Sequence, residues 1–95
     1  MFKHIVVFKF KKENPEAADK VKAMLEALPP KIDLIKSFEV GKNQLDTYRS
    51  YDLILISEFD NQQDYEAYVV HPDHKKVSEY VAGVRENSVA VDYEF

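Results

Sequence analysis

The 95-residue chain contains no cysteine, which excludes a disulfide framework, a thiolate nucleophile and any cysteine-built metal site. It has 2 glycines, too few for a glycine-rich loop that would cradle a phosphate. No basic run offsets the formal net charge of -4. Lys9, Lys11 and Lys12 stand near Glu13 and Glu16, a balance that argues against a nucleic-acid partner. No stretch approaches the length of a membrane span, and Met1-Phe2-Lys3-His4 lacks the apolar run of a signal peptide. A soluble cytoplasmic protein, bound to neither nucleic acid nor membrane, is the expectation.

What is present is enough for a core. The apolar fraction is 45% and the aromatic fraction 13%, outside the range of disordered chains. The length suits one domain over residues 1–95. A domain this small buries a modest share of its surface, and dimerisation is a common remedy.

Met1 to Phe10 alternates as a strand. Phe2, His4, Val6, Phe8 and Phe10 share one face, and Lys3, Ile5, Val7 and Lys9 the other. Asn14-Pro15-Glu16 predicts a helix start, with Asn14 as N-cap and Pro15 in the first helical position. Ala17, Val21, Met24, Leu25 and Leu28 follow at helical spacing, and Pro29-Pro30 ends the run. Ile32 to Val40 predicts a second strand stopped by Gly41, and Tyr51 to Phe59 a third. Leu53, Ile54, Leu55 and Ile56 are apolar without a break, which implies burial on both sheet faces. Asp60 and Gln63 have capping-box spacing ahead of Tyr65, Tyr68 and Val69. Pro72 interrupts this helix. A further one runs from about Asp73, with His74, Val77, Val81 and Val84 on one stripe, and Ser88 to Phe95 alternates as a last strand.

The order β-α-β-β-α-β predicts an α+β, ferredoxin-like fold: an antiparallel sheet, helices on one face and a broken second helix. The opposite sheet face then carries Ile5, Val7, Ile54, Ile56, Val89 and Val91. A patch of that size on a soluble chain predicts a homodimer packed sheet to sheet.

Tyr68-Val69-Val70-His71-Pro72-Asp73-His74 gathers a phenol and two of the 3 histidines around a proline, the one segment rich in groups that move protons near neutral pH. That segment, written Tyr68-x-x-His71-Pro72-x-His74, also takes part in a resemblance. With His4-Ile5-Val6-Val7-Phe8-Lys9-Phe10, Ile35-Lys36-Ser37-Phe38-Glu39-Val40-Gly41, Tyr51-Asp52-Leu53 and Val91-Asp92-Tyr93, it makes nearly the whole chain resemble the stress-responsive A/B-barrel family. The resemblance implies a dimeric α+β barrel. Most of that family has no assigned reaction. One plant member closes a polyketide ring by aldol condensation, and its catalytic tyrosine and histidine fall on Tyr68 and His74; a cavity histidine matches His4. Another cavity histidine is replaced here by Leu53, and bulky residues of the last strand by Ser88 and Ala90, which implies a different substrate.

His74 lies in the first turn of a helix, where the dipole favours a neutral, proton-accepting ring; as a catalytic residue it would be a general base, and otherwise a packed histidine on the stripe with Val77 and Val81. Tyr68 would donate a hydrogen bond to an oxygen gaining charge, or else anchors the core. His71, ahead of Pro72, has a structural role in the break as its leading reading. His4, Val6, Phe8, Leu53, Leu55, Val69, His71, Val77, Ser88 and Ala90 are the expected ligand-binding residues around the pair. No compact ligand spacing supports a metal site of His4, His71 and His74, and no cofactor is assigned. Asp92 and Glu39 read as strand-surface or ion-pair groups. The leading expectation is a homodimer that binds a small aromatic or polyketide-like molecule without established catalysis. The alternative is a cofactor-independent enzyme, polyketide-cyclase-like or monooxygenase-like.

Overall fold

The computed structural model describes residues 1–95. Its elements run β1 (Phe2–Phe10), α1 (Ala17–Glu26), a 3-10 turn (Pro29–Lys31), β2 (Ser37–Lys42), β3 (Leu53–Phe59), α2 (Gln62–Val69), α3 (Pro72–Val84) and β4 (Arg85–Glu94). The strands form one antiparallel sheet in the order β2-β3-β1-β4. This is the ferredoxin-like α+β plan, and the alternation of β1 explains it. Phe2, His4, Phe8 and Phe10 are buried toward the helices. Val21 and Leu25 of α1, Leu53, Leu55 and Phe59 of β3, Tyr68 of α2 and Val77, Val81 and Val84 of α3 meet them in the core.

Pairing fixes the other face. Val7 lies between Ile54 and Val89, and Ile5 between Ile56 and Val91. Within one chain, Val89 and Val91 remain 52% and 62% exposed.

Several boundaries differ from expectation. Asn14 does not cap α1; its carbonyl accepts from Ala17 N at 3.1 Å, closing a turn around Pro15, and Glu16 is the N-cap without a side-chain bond. Residues 32–36 are not strand. Turn bonds from Ile32 to Leu28 and from Ile35 to Ile32 continue the Pro29-Pro30 geometry, so β2 starts at Ser37. Gly41 does not stop β2 but lies within it, opposite Ile54, where an added Cβ would meet the isoleucine methyl at 3.2 Å. The cap of α2 is Asn61, whose side chain accepts from Asp64 N at 2.8 Å, and not Asp60. The break at Pro72 is present. His71 is extended (φ -63°, ψ 136°), and Pro72 occupies the first turn of α3, where a missing N–H costs nothing. β4 begins at Arg85, directly after α3, rather than at Ser88. No helix is long and apolar enough to cross a membrane.

Candidate functional site

The break between α2 and α3 is built locally. His71 Nδ1 accepts from Asp73 N at 3.1 Å and so caps α3. The proline and this cap reset the chain direction, and His74 arrives one turn later with its ring beside Tyr68, centroids 4.5 Å apart. His74 Nδ1 lies 2.9 Å from the carbonyl oxygen of Val69. A carbonyl only accepts, so Nδ1 carries the hydrogen and Nε2 keeps its lone pair. Burial pushes the His74 pKa below its ordinary 6.5; the Val69 bond opposes this, and the charges of His4 and His71 reinforce it. The ring is therefore neutral at pH 7, a state suited to accepting a proton.

His4 reaches the same region from β1. It lies directly opposite Asp92 of β4, and its Nδ1 is hydrogen-bonded to the Asp92 carboxylate. Cross-strand partners sit close enough for such a bond without distortion. It fixes the imidazole so that Nε2 is the free nitrogen. Tyr65 packs against His4 with ring centroids 4.6 Å apart and planes tilted by 42°, and burial followed by the Asp92 and Glu66 charges raises its phenol pKa.

Between α3 and the sheet lies a cleft of about 280 Å³. β1 contributes His4, Val6 and Phe8, with Leu55 from β3, Leu25 from α1 and Ser88 from β4. The α3 wall is His74, Val77, Ser78, Val81 and Ala82, continued by Arg85. Of the residues expected at a ligand site, His4, Val6, Phe8, Leu55, His74, Val77 and Ser88 thus share one cleft. The others do not border it. Tyr68 is wholly enclosed among Phe38, Phe59, Tyr65 and His74. Leu53 is sunk in the core at 2% exposure. Val69 sits at the exposed end of α2, His71 is committed to its cap, and Ala90 is exposed on the edge strand.

The Tyr68 hydroxyl is buried with no hydrogen-bond partner in the protein, and desolvation drives its pKa well above the usual phenol range. It stays protonated, and Tyr68 is not among the residues that border the cleft.

Leu25, Ser78, Val81, Ala82 and Arg85 border the cleft without having been expected there. The α3 members follow His74 at intervals of three and four residues, so helical spacing carried the signal for them. The His4–Asp92 partnership depends on strand register, which a single sequence does not display. No group of three or more His, Cys, Asp or Glu side chains is placed to hold a metal ion.

The chain belongs to the stress responsive A/B barrel domain family, whose profile matches residues 2–95. A stress-response A/B barrel domain-containing protein of Arabidopsis thaliana is 32% identical over 97% of this chain and 84% of its own length. A dimeric protein of unknown function with a ferredoxin-like fold, from Bacteroides fragilis, is 37% identical with a TM-score of 0.86, over 99% of this chain and 95% of that one. A dimeric ferredoxin-like protein of unknown function from Thermobifida fusca is 25% identical with a TM-score of 0.88, over 99% of this chain and 90% of that one.

Proposed function

We propose that this protein is a homodimer, joined through its outer sheet face, that binds a small apolar or aromatic molecule beneath α3. The cleft carries this reading. It measures about 280 Å³, near the lower end of the roughly 300–1,000 Å³ typical of small-molecule sites. Its walls are mainly aliphatic, with two imidazoles at one end, the usual composition of such a site. For the assembly, the support is the exposure of Val89 and Val91 beside Ile5 and Val7, together with the dimeric state of the Bacteroides fragilis and Thermobifida fusca relatives. Titration of the ¹⁵N-labelled protein with 1-naphthol tests the binding. Amide shifts should concentrate at Val77, Val81 and Ser88. Shifts scattered over the surface would reject the reading.

A second reading is favoured by one observation. His74 is half-buried and neutral, with Nδ1 committed to Val69, and it shares the cleft with His4, whose tautomer Asp92 sets. A cofactor-independent enzyme using His74 as general base fits that geometry. Its partner would be His4, in contact with the cleft, rather than Tyr68. Deuterium exchange into a 1,3-diketone tests it. Acceleration by the protein that His74→Ala abolishes supports the enzyme, and exchange no faster than in buffer leaves the binding protein.

A further inference from the structure

The cleft is asymmetric in charge. None of its lining residues is a carboxylate, and its single permanent cation is Arg85. His4 and His74 line it as well, so its ionisable groups are cationic or neutral, within a chain of net charge -4. Arg85 is exposed, donates from Nη1 to Ser88 Oγ at 2.8 Å, and forms no ion pair.

Its place along the cleft follows from the helix. His74 and Arg85 are 11 residues apart along one face. At ~1.5 Å per residue their Cα atoms are separated by about 16 Å. Val77 and Val81 occupy the interval, so an aliphatic wall connects an imidazole end to a guanidinium end. Three of the last four carbonyls of α3, which would repel an anion at that end, are already engaged. Gly83 O accepts from Lys11 Nζ at 3.4 Å, Val84 O from Lys11 N at 2.9 Å, and Val81 O from Arg85 N.

We propose that the ligand of this cleft is an amphipathic carboxylate, its apolar body lying along Val77 and Val81 and its carboxylate held by Arg85 and Ser88. The inference rests on the small-molecule site proposed above and adds its ligand class and a specificity residue. The guanidinium presents parallel N–H donors that match a carboxylate, and Ser88 Oγ adds a hydroxyl donor beside it. In this orientation the other end of the ligand faces His4 and His74. A single arginine matches a monoanion, and the cleft volume suits a medium-chain or alkyl-aromatic acid.

The test compares octanoate with octanol by calorimetry at low salt and neutral pH. Octanoate should bind about tenfold more tightly, and added salt should erode that difference while leaving octanol unaffected. Arg85→Gln should abolish the preference without weakening octanol binding; Arg85→Lys should retain part of it, because charge is kept and the fork is lost. Circular dichroism of both variants should match the parent, since the side chain is exposed. Octanoate binding unchanged in Arg85→Gln would overturn the proposal. Equal affinity for octanoate and octanol in the parent would overturn it too, while sparing the apolar site. Binding of neither probe would remove both readings.

Discussion

Tyr68 and His74 belong to different helices, yet their rings pack at 4.5 Å with an interplanar angle of 55°. The turn at His71-Pro72 makes the contact possible. Motif spacing alone would cast the two as an acid–base pair facing one ligand. Their burial separates them: the phenol is enclosed at 0% exposure, whereas the imidazole borders the cleft. Tyr68 therefore packs against the histidine ring from within the core, while His74 is among the residues that border the cleft.

The first prediction concerns the Tyr68 hydroxyl, buried without a protein partner. An unsatisfied buried polar group costs roughly 1–3 kcal/mol. Tyr68→Phe removes it with little change of shape. The variant should be as stable as the parent, or more stable by about 1 kcal/mol, in urea unfolding at constant m value. A loss of more than ~1 kcal/mol would show that the hydroxyl is satisfied in solution.

The second concerns pH. The His74 pKa lies below its unfolded value of 6.5, so the unfolded chain binds the proton more readily. Stability then rises with pH wherever the unfolded state holds more protons. His74 contributes stability that is fully present above 6.5 and is lost as pH falls from 6.5 toward the depressed folded value. His74→Gln should flatten the fall in urea midpoint between neutral and mildly acidic pH. An imidazole proton titration midpoint at or above 6.5 for His74 in the folded protein would contradict this sign.

Much of the fold was legible because β1 alternates with a period of two, the unbroken apolar run Leu53 to Ile56 marks a strand covered on both faces, and Pro72 announces its break. What escaped was decided by competition between neighbours or by register. Asp60 and Asn61 are both good caps; Asn61 takes the position because its side chain reaches Asp64 N, leaving Asp60 3.8 Å from Lys36. Arg85 and Glu86 are charged, so nothing in their hydropathy marks the start of β4, which is fixed by pairing of Phe10 with Arg85. At the site, the histidines and several apolar walls were readable as a face and a stripe. The exclusion of Tyr68 was not, since aromatic packing around it from Phe38, Phe59 and Tyr65 comes from three separate elements and their flanks.

The third prediction addresses assembly. Val89→Lys with Val91→Lys puts two charges on the outer face at positions already exposed within one chain. The single chain tolerates them there, but a sheet-to-sheet interface would have to bury two unpaired ammonium groups, which is prohibitive. Sedimentation should show a dimer for the parent and a monomer for the double variant at micromolar concentration. A parent that sediments as a monomer, or a variant that remains dimeric, would place the interface elsewhere or remove it.

The fourth prediction concerns the cleft floor. Ser88 faces the helices from β4, opposite Phe8, and is half-buried beside open space. Ser88→Phe would direct an aromatic ring into that space, and aromatic residues suit a strand. Since the volume already exists, the ring should bury apolar area with little of the strain that overpacking a dense core brings. The expected result is an unchanged or raised thermal midpoint together with at least a tenfold loss of 1-naphthol affinity. Ser88→Ala, which leaves the volume open, should bind 1-naphthol as the parent does. Both variants binding equally well would mean that the probe sits elsewhere; a destabilised Ser88→Phe would mean that the cleft closes in solution around a smaller space.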